Sequence, residues 1–91
     1  MATNAVLMKV DGERVAQAFA EARENLESAQ AELVLDLSAV HRLDAAGLRA
    51  MERLADAVDG TETRLILTNI NIDIYRALKL AKLAARFDFR V

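Results

Sequence analysis

Two short apolar runs, separated by a stretch with helical periodicity, define the fold of this 91-residue chain. The first run covers residues 33–37 (LVLDL) and the second covers residues 64–68 (RLILT). Continuous apolar runs of this length are typical of strands that are covered on both faces of a parallel sheet. Between them, residues 45–58 repeat apolar side chains with the period of an amphipathic helix. The centre of the chain therefore predicts a β-α-β unit.

The flanking segments extend the same alternation. Residues 5–10 (AVLMKV) predict a first strand, and a helix follows it through about Leu26. Residues 72–85 predict a third helix, and the alternation around Phe87 and Phe89 predicts a short last strand. With no linker and no repeat, we predict one α/β domain over residues 1–91, in which three helices cover an approximately four-stranded, mostly parallel sheet. The predicted order is β-α-β-α-β-α-β.

Composition excludes several classes of function. A net charge of −2 argues against nucleic-acid binding through a strongly basic surface. The chain has no cysteine and a single histidine, so we expect neither a metal site nor a cofactor. No stretch approaches the roughly 20 apolar residues of a membrane-spanning helix, and the first residues lack the pattern of a signal peptide. We therefore expect a cytoplasmic protein without a transmembrane segment.

The loop between the second strand and the second helix is the best candidate site, because ligands of open parallel sheets gather where strands end and helices begin. This loop ends in Asp44, followed by Ala45, Ala46 and Gly47. We expect Asp44 to cap the helix, since a carboxylate at that position accepts a backbone N–H. Gly47 is a poor helix former, and close packing of the helix on the sheet would explain it.

Residues 33–38 (LVLDLS) and 43–48 (LDAAGL), followed by 64–67 (RLIL), 75–78 (YRAL) and Phe87, resemble a STAS domain, the sulphate-transporter and anti-sigma-factor-antagonist module. The resemblance implies a noncatalytic module that docks onto a histidine-kinase-like ATPase acting as an anti-sigma factor. In the family, phosphorylation of a serine or threonine in Asp-x-Ser-Gly switches docking off. That acceptor aligns with Ala46.

Because Ala46 has no oxygen to phosphorylate, the switch cannot operate at this position. The protein binds constitutively, is regulated at another hydroxyl such as Ser38 or Thr68, or descends from a form that lost the acceptor. An engineered replacement of serine by alanine is a further explanation. The sequence does not separate these four.

The expected partner-binding surface combines the loop with the first turns of the second helix. Ala46 and Ala50 lie to one side of the core stripe, with Arg53 near them, and leave a low surface that another backbone can approach. The predicted contact residues are Ser38, Arg42, Asp44, Ala45, Ala46, Gly47, Arg49, Ala50 and Arg53. We expect no catalysis, because Asp36 and Asp44 have no histidine or metal cluster with them.

Two other functions remain open on the sequence. The resemblance also fits a STAS subunit that supports the ATPase of a lipid ABC transporter through the same surface. A small nucleotide-binding regulatory domain is the third reading, although the glycines at positions 12, 47 and 60 are too far apart to form a phosphate loop.

A basic arc on the last helix is a candidate secondary contact for an acidic partner or an anionic lipid surface. Its predicted members are Arg76, Lys79, Lys82 and Arg86, with Tyr75 beside them. The resemblance adds that the family commonly carries a glycine at the position of Lys82, so the turn after this helix is not expected to follow the family.

The family usually has an extra strand before Ala5 and often a helix after Val91, and this chain has neither. The extra strand would precede the first predicted strand, and the extra helix would follow the last one. An uncovered strand edge invites pairing with another chain. We therefore expect self-association, most simply as a twofold homodimer.

Overall fold

The computed structural model describes residues 5–24, 26 and 32–90. Its elements are β1 (Ala5–Lys9), α1 (Val15–Glu24), β2 (Glu32–Asp36), α2 (Ala45–Val58), β3 (Arg64–Thr68), α3 (Ile72–Leu80), a 3₁₀ turn (Ala84–Arg86) and β4 (Asp88–Arg90). This single α/β domain has the predicted β-α-β-α-β-α-β order. The predicted bounds of α2 and β3 are confirmed to the residue, whereas α1 ends two residues before Leu26.

The four strands of the described sheet are all parallel and lie in the order β1-β2-β3-β4. Leu33 and Leu35 of β2, with Leu65 and Leu67 of β3, pack in one buried cluster with side chains from all three helices. The alternate residues Val34 and Ile66 lie outside that cluster. Side chains of a strand alternate between its two faces, so the helices form one layer on one face of the sheet.

The other face of the sheet carries charged side chains around a short apolar row. Val34 and Ile66 are neighbours in this row, and Leu7 of β1 extends it to the sheet edge. Arg64 forms ion pairs on the same face, at 2.9 Å from Asp88 Oδ2 and 3.8 Å from Glu32 Oε2. Arg64 and Asp88 are exposed and Glu32 is half-buried, so each pair contributes little stability.

The predicted third helix over residues 72–85 is wrong at its end, because α3 stops at Leu80. Lys82 has a left-handed backbone with φ of 61°, and its N–H donates to Lys79 O at 3.1 Å. The next N–H, of Leu83, donates to Leu78 O at 2.8 Å, which completes the hydrogen-bond pattern of a Schellman motif. Lysine therefore occupies a left-handed position that glycine usually fills in this motif. The apolar periodicity of the sequence continues past the end of α3 because Leu83, although outside the helix, is buried.

Candidate functional site

Asp44 begins α2 as a side-chain cap, as the sequence predicts. Its backbone is extended, and its Oδ1 accepts a hydrogen bond from Gly47 N at 2.8 Å. Its carbonyl oxygen accepts a second bond from Leu48 N at 3.0 Å. Ala45 and Ala46 are exposed on this first turn. The start of α2 therefore exposes two methyl groups beside a carboxylate.

Gly47 allows α1 to approach the start of α2. A methyl group at this position would lie 3.2 Å from Asp44 Oδ1 and 3.2 Å from Val15 Cγ1. Val15 is the first residue of α1, so the close neighbour is the preceding helix. The sequence had suggested the sheet as that neighbour. The glycine places the capped end of α2 directly against α1.

A groove of about 620 Å³ runs between α1 and α2. Its α2 wall brings together four of the predicted contact residues, Ala46, Arg49, Ala50 and Arg53. Its α1 wall consists of Ala16, Phe19, Ala20, Arg23 and Glu24. Sequence reasoning missed this second wall. The available signal was the spacing of Ala16 and Ala20, one helical turn apart and ahead of Arg23.

Ser38 and Arg42 lie away from that groove. Ser38 is exposed, and its N–H donates to Asp36 Oδ1 at 2.9 Å in a tight turn. Arg42 is exposed and lines a second depression of about 550 Å³, together with Asp44 and the residues that begin α1. Four of the predicted contact residues therefore line the first groove and two line the second, whereas Ser38, Ala45 and the buried Gly47 line neither.

Two asparagines in the loop after β3 form hydrogen bonds toward the candidate loop. The sequence marks residues 69–71 as a second loop with usable chemistry but does not predict these bonds. Asn69, with φ of 59°, donates through Nδ2 to Asp36 Oδ1 at 3.1 Å. Asn71 donates through Nδ2 to His41 O at 3.0 Å, and its Oδ1 accepts from Ile74 N at 2.8 Å to cap α3. The loop before α2 is thus joined to the loop before α3 by two side-chain hydrogen bonds.

The carboxylate of Asp36 is the centre of this connection. Its pKa lies below the ordinary value, chiefly because of the hydrogen bond from Asn69, with further contributions from Ser38 and the charge of Lys9. Hydrogen bonds to the ionised form favour that form. Asp36 therefore acts as an ionised acceptor between two loops, at the edge of the sheet where the strands end.

The basic arc predicted on the last helix is only partly present. Arg76 and Lys79 lie on the exposed side of α3, with Lys79 Nζ 5.6 Å from the ring centroid of Tyr75. Lys82 lies beyond the helix in the left-handed turn. Arg86 is drawn to α2, where its Nη1 lies 2.8 Å from Asp56 Oδ1. Of the four predicted members, only Arg76 and Lys79 therefore lie on the helix with exposed side chains, and Lys82 lies just beyond its end.

Comparison with known proteins decides the family. The sequence model of the STAS domain matches residues 2–91, which is nearly the whole chain. The chain belongs to the STAS domain family. A search of curated protein sequences gives no match.

Solved structures agree with this assignment at the level of fold. The crystal structure of TM1081 from Thermotoga maritima, described as a candidate anti-sigma factor antagonist, superposes with a TM-score of 0.76 at 17% identity. That match covers 98% of this STAS domain and 80% of the other chain. The NMR structure of TM1081 gives a TM-score of 0.78 at 16% identity, covering 99% and 76% respectively. At such identities the likeness concerns the fold alone.

The described part of this STAS domain presents no arrangement for metal-dependent chemistry. Over residues 5–24, 26 and 32–90, no group of three histidine, cysteine, aspartate or glutamate side chains could hold an ion. In the same residues no helix is both long and apolar enough to cross a bilayer. The chemistry on offer at the start of α2 is surface contact through methyl groups, arginines and one capping carboxylate.

Proposed function

We propose that this STAS domain is a noncatalytic interaction module of the anti-sigma-factor-antagonist kind. It docks to an ATPase-type anti-sigma factor or kinase-like protein in the bacterial cytoplasm. We name as the docking surface the loop and helix residues Ser38, Arg42, Asp44, Ala45, Ala46, Gly47, Arg49, Ala50 and Arg53. The family match over residues 2–91 and the exposed, capped start of α2 support this proposal.

Small side chains at the start of α2 fit this role. Ala45 and Ala46 leave the backbone of the first turn open to close approach, and the buried Gly47 contributes its position rather than a side chain. Further along, Arg49 and Arg53 are exposed and form no ion pair within the described residues. Unpaired arginines can form bidentate contacts with carboxylates of a partner. A partner therefore meets small side chains at the start of α2, with cationic groups further along the same helix.

Docking in this protein is not switched at position 46. A phosphoryl group there would add about −1.5 to −2 charges next to the Asp44 carboxylate, at the centre of the docking surface. Alanine cannot accept it, so phosphorylation at this position cannot release the partner. If the ancestral switch is otherwise intact, Ala46→Ser should become a substrate of the partner kinase and release the partner once phosphorylated.

Titration calorimetry with purified candidates tests the proposal. The expected result is saturable binding to an anti-sigma or kinase-like ATPase, with no change in the covalent state of either protein. Binding to a lipid-transporter ATPase in its place would assign the alternative function. Heat from ATP or GTP alone, without a protein partner, would assign the nucleotide-binding alternative. If none of these binds, the interaction-module proposal is wrong.

Self-association remains a separate proposal. In the described sheet β1 is an edge strand, and its Leu7 is exposed on the open face. Strand edges of this kind pair readily with a second chain. Sedimentation velocity at tens of micromolar should reveal a dimer, and a monomer at that concentration would contradict the expectation.

A further inference from the structure

Large exposed apolar side chains are concentrated on one side of the molecule. Within the described residues they are Leu7 at 70%, Ile72 at 64%, Tyr75 at 39%, Leu80 at 86% and Phe89 at 37% exposure. All except Leu7 lie on α3 or on the neighbouring strand β4. Scattered exposed apolar residues are ordinary, whereas a contiguous patch marks an interaction site.

The patch is a second stripe of α3, distinct from the one that faces the core. Ile74 and Leu78 are fully buried on the inner side. Ile72 and Leu80 lie two helical turns apart on the outer side, with Arg76 between them, and Tyr75 precedes Lys79 by one turn. We call Ile72, Tyr75, Arg76, Lys79, Leu80 and the adjacent Phe89 the α3 face.

A groove beside this face gives it a concave part. The rings of Tyr75 and Phe89 meet edge to face, with centroids 5.4 Å apart and planes at 74°. Together with Asn69, Ile70 and Arg90 they line a groove of about 520 Å³. A concave site with aromatic walls accommodates an apolar side chain of a partner, as binding anchors commonly do. A flat bilayer surface would leave this groove unfilled.

The charge of the α3 face decides what can cover it. Arg76, Lys79 and Lys82 are exposed and form no ion pair within the described residues, whereas Arg64 and Arg86 lie within 3 Å of carboxylates. The acid on α3 is Asp73 in the first turn. A second copy of this chain would bring the same cations together, so the charge disfavours a homodimer at this surface and favours an acidic occupant.

We propose that the α3 face is a second interaction surface, which binds an acidic amphipathic helix of a partner protein. One apolar side chain of that helix enters the groove that Tyr75 and Phe89 line, and its carboxylates lie against Arg76 and Lys79. The surface is separate from the docking surface on α2. It shares no residue with that docking surface.

NMR titration of the ¹⁵N-labelled protein with a synthetic helical peptide tests this proposal. The peptide carries a stripe of leucine and phenylalanine, with glutamates one turn apart on its flanks. We expect saturable shifts of the amides of Ile72, Tyr75, Lys79 and Phe89, with α2 unaffected. Raising the salt concentration from about 0.05 M to about 0.5 M should weaken binding severalfold, because exposed charges are then screened.

Matched variants locate the contact. The double variant Arg76→Glu/Lys79→Glu should weaken binding by about tenfold or more, because two attractive contacts become repulsive. Arg49→Glu/Arg53→Glu reverses the same number of charges on α2 and should leave the affinity for the peptide unchanged. Tyr75→Ala opens the groove and should reduce the affinity even where the charges remain. All five positions are exposed, and circular dichroism checks that the variants are folded.

Three results would overturn the proposal. The first is no binding of the acidic peptide at millimolar concentration, and the second is equal binding of a peptide in which lysine replaces every glutamate. The third comes from vesicles that contain anionic lipid. If the protein co-sediments with these vesicles, fails to do so as the Arg76→Glu/Lys79→Glu variant, and ignores the peptide, the α3 face is a membrane contact.

Discussion

The outer faces of α2 and α3 differ in a way that separates two kinds of surface. Both helices bury leucines in the same core, and both begin with an extended residue whose side chain accepts a backbone N–H. Outside the core, α2 presents alanines and unpaired arginines, whereas α3 presents Ile72, Tyr75 and Leu80 among cations. Small side chains admit a partner's backbone, and large ones supply anchors. The two helices thus share one core but present different side chains to a partner.

The largest effect should come from the core that the two helices share. Leu54 of α2 and Leu78 of α3 are both fully buried. Truncation to alanine at either position should lower the free energy of unfolding by about 2–5 kcal/mol. Urea denaturation measures this loss. Ala50→Ser, at a half-buried position, is the control and should change the free energy of unfolding only slightly. A loss below 1 kcal/mol at only one of the leucines would mean that its helix is not part of the common core.

The two caps should differ in strength. Asp44→Ala removes one capping hydrogen bond of α2 and should cost about 1 kcal/mol. Asn71→Ala removes the cap of α3 and also the bond to His41 O, so its cost should be about 1 kcal/mol larger. Asn71→Asp keeps a capping oxygen and loses only the donor. Equal losses for Asp44→Ala and Asn71→Ala would show that the link between the loops adds nothing.

The ends of the two helices should respond in opposite directions. After α2 the left-handed position is Gly60 with φ of 81°, and after α3 it is Lys82 with φ of 61°. Gly60→Ala should destabilise the protein by about 1 kcal/mol, and Lys82→Gly should stabilise it by up to about 1 kcal/mol. Thermal unfolding of both variants measures the difference. Destabilisation by Lys82→Gly would mean that the lysine side chain makes a contact that outweighs the backbone strain.

The smallest effect concerns the link between the loops that precede the two helices. The pKa of Asp36 is depressed below its ordinary value of 3.8, so its contribution to stability is complete above that pH. As the pH falls through the depressed pKa, the carboxylate is protonated and the contribution is lost. The stability difference between wild type and Asp36→Asn should therefore shrink below pH 3.8. A difference that stays constant down to pH 2 would remove Asp36 from the link.

Much of this architecture is predictable because local chemistry encodes it. The bounds of α2 follow from Asp44 as a cap and from Gly60 in the left-handed turn, both of which have residue types suited to their backbone. The end of α3 was mispredicted because Lys82 adopts the same conformation without being glycine or asparagine. No local signal marks that position, and tertiary packing of Leu83 imposes the turn.

The candidate site was predictable only on the helix that carries the motif. Ala46, Arg49, Ala50 and Arg53 follow from helical spacing after Asp44, and the structure places them along one wall. The opposite wall depends on how α1 packs against Gly47, which is a tertiary property. By contrast, the exposure of Leu80 follows from helical spacing, because it lies two turns after the exposed Ile72 and off the buried side of Ile74 and Leu78.

One comparison of affinities tests the central claim most directly. Ala46→Glu places a charge at the exposed start of α2, and Ala85→Glu places the same charge at an exposed position in the 3₁₀ turn. Calorimetric titration against the proposed ATPase-type partner should show that Ala46→Glu weakens binding by about tenfold or more while Ala85→Glu retains wild-type affinity. Unchanged affinity of a correctly folded Ala46→Glu variant would contradict docking through the start of α2.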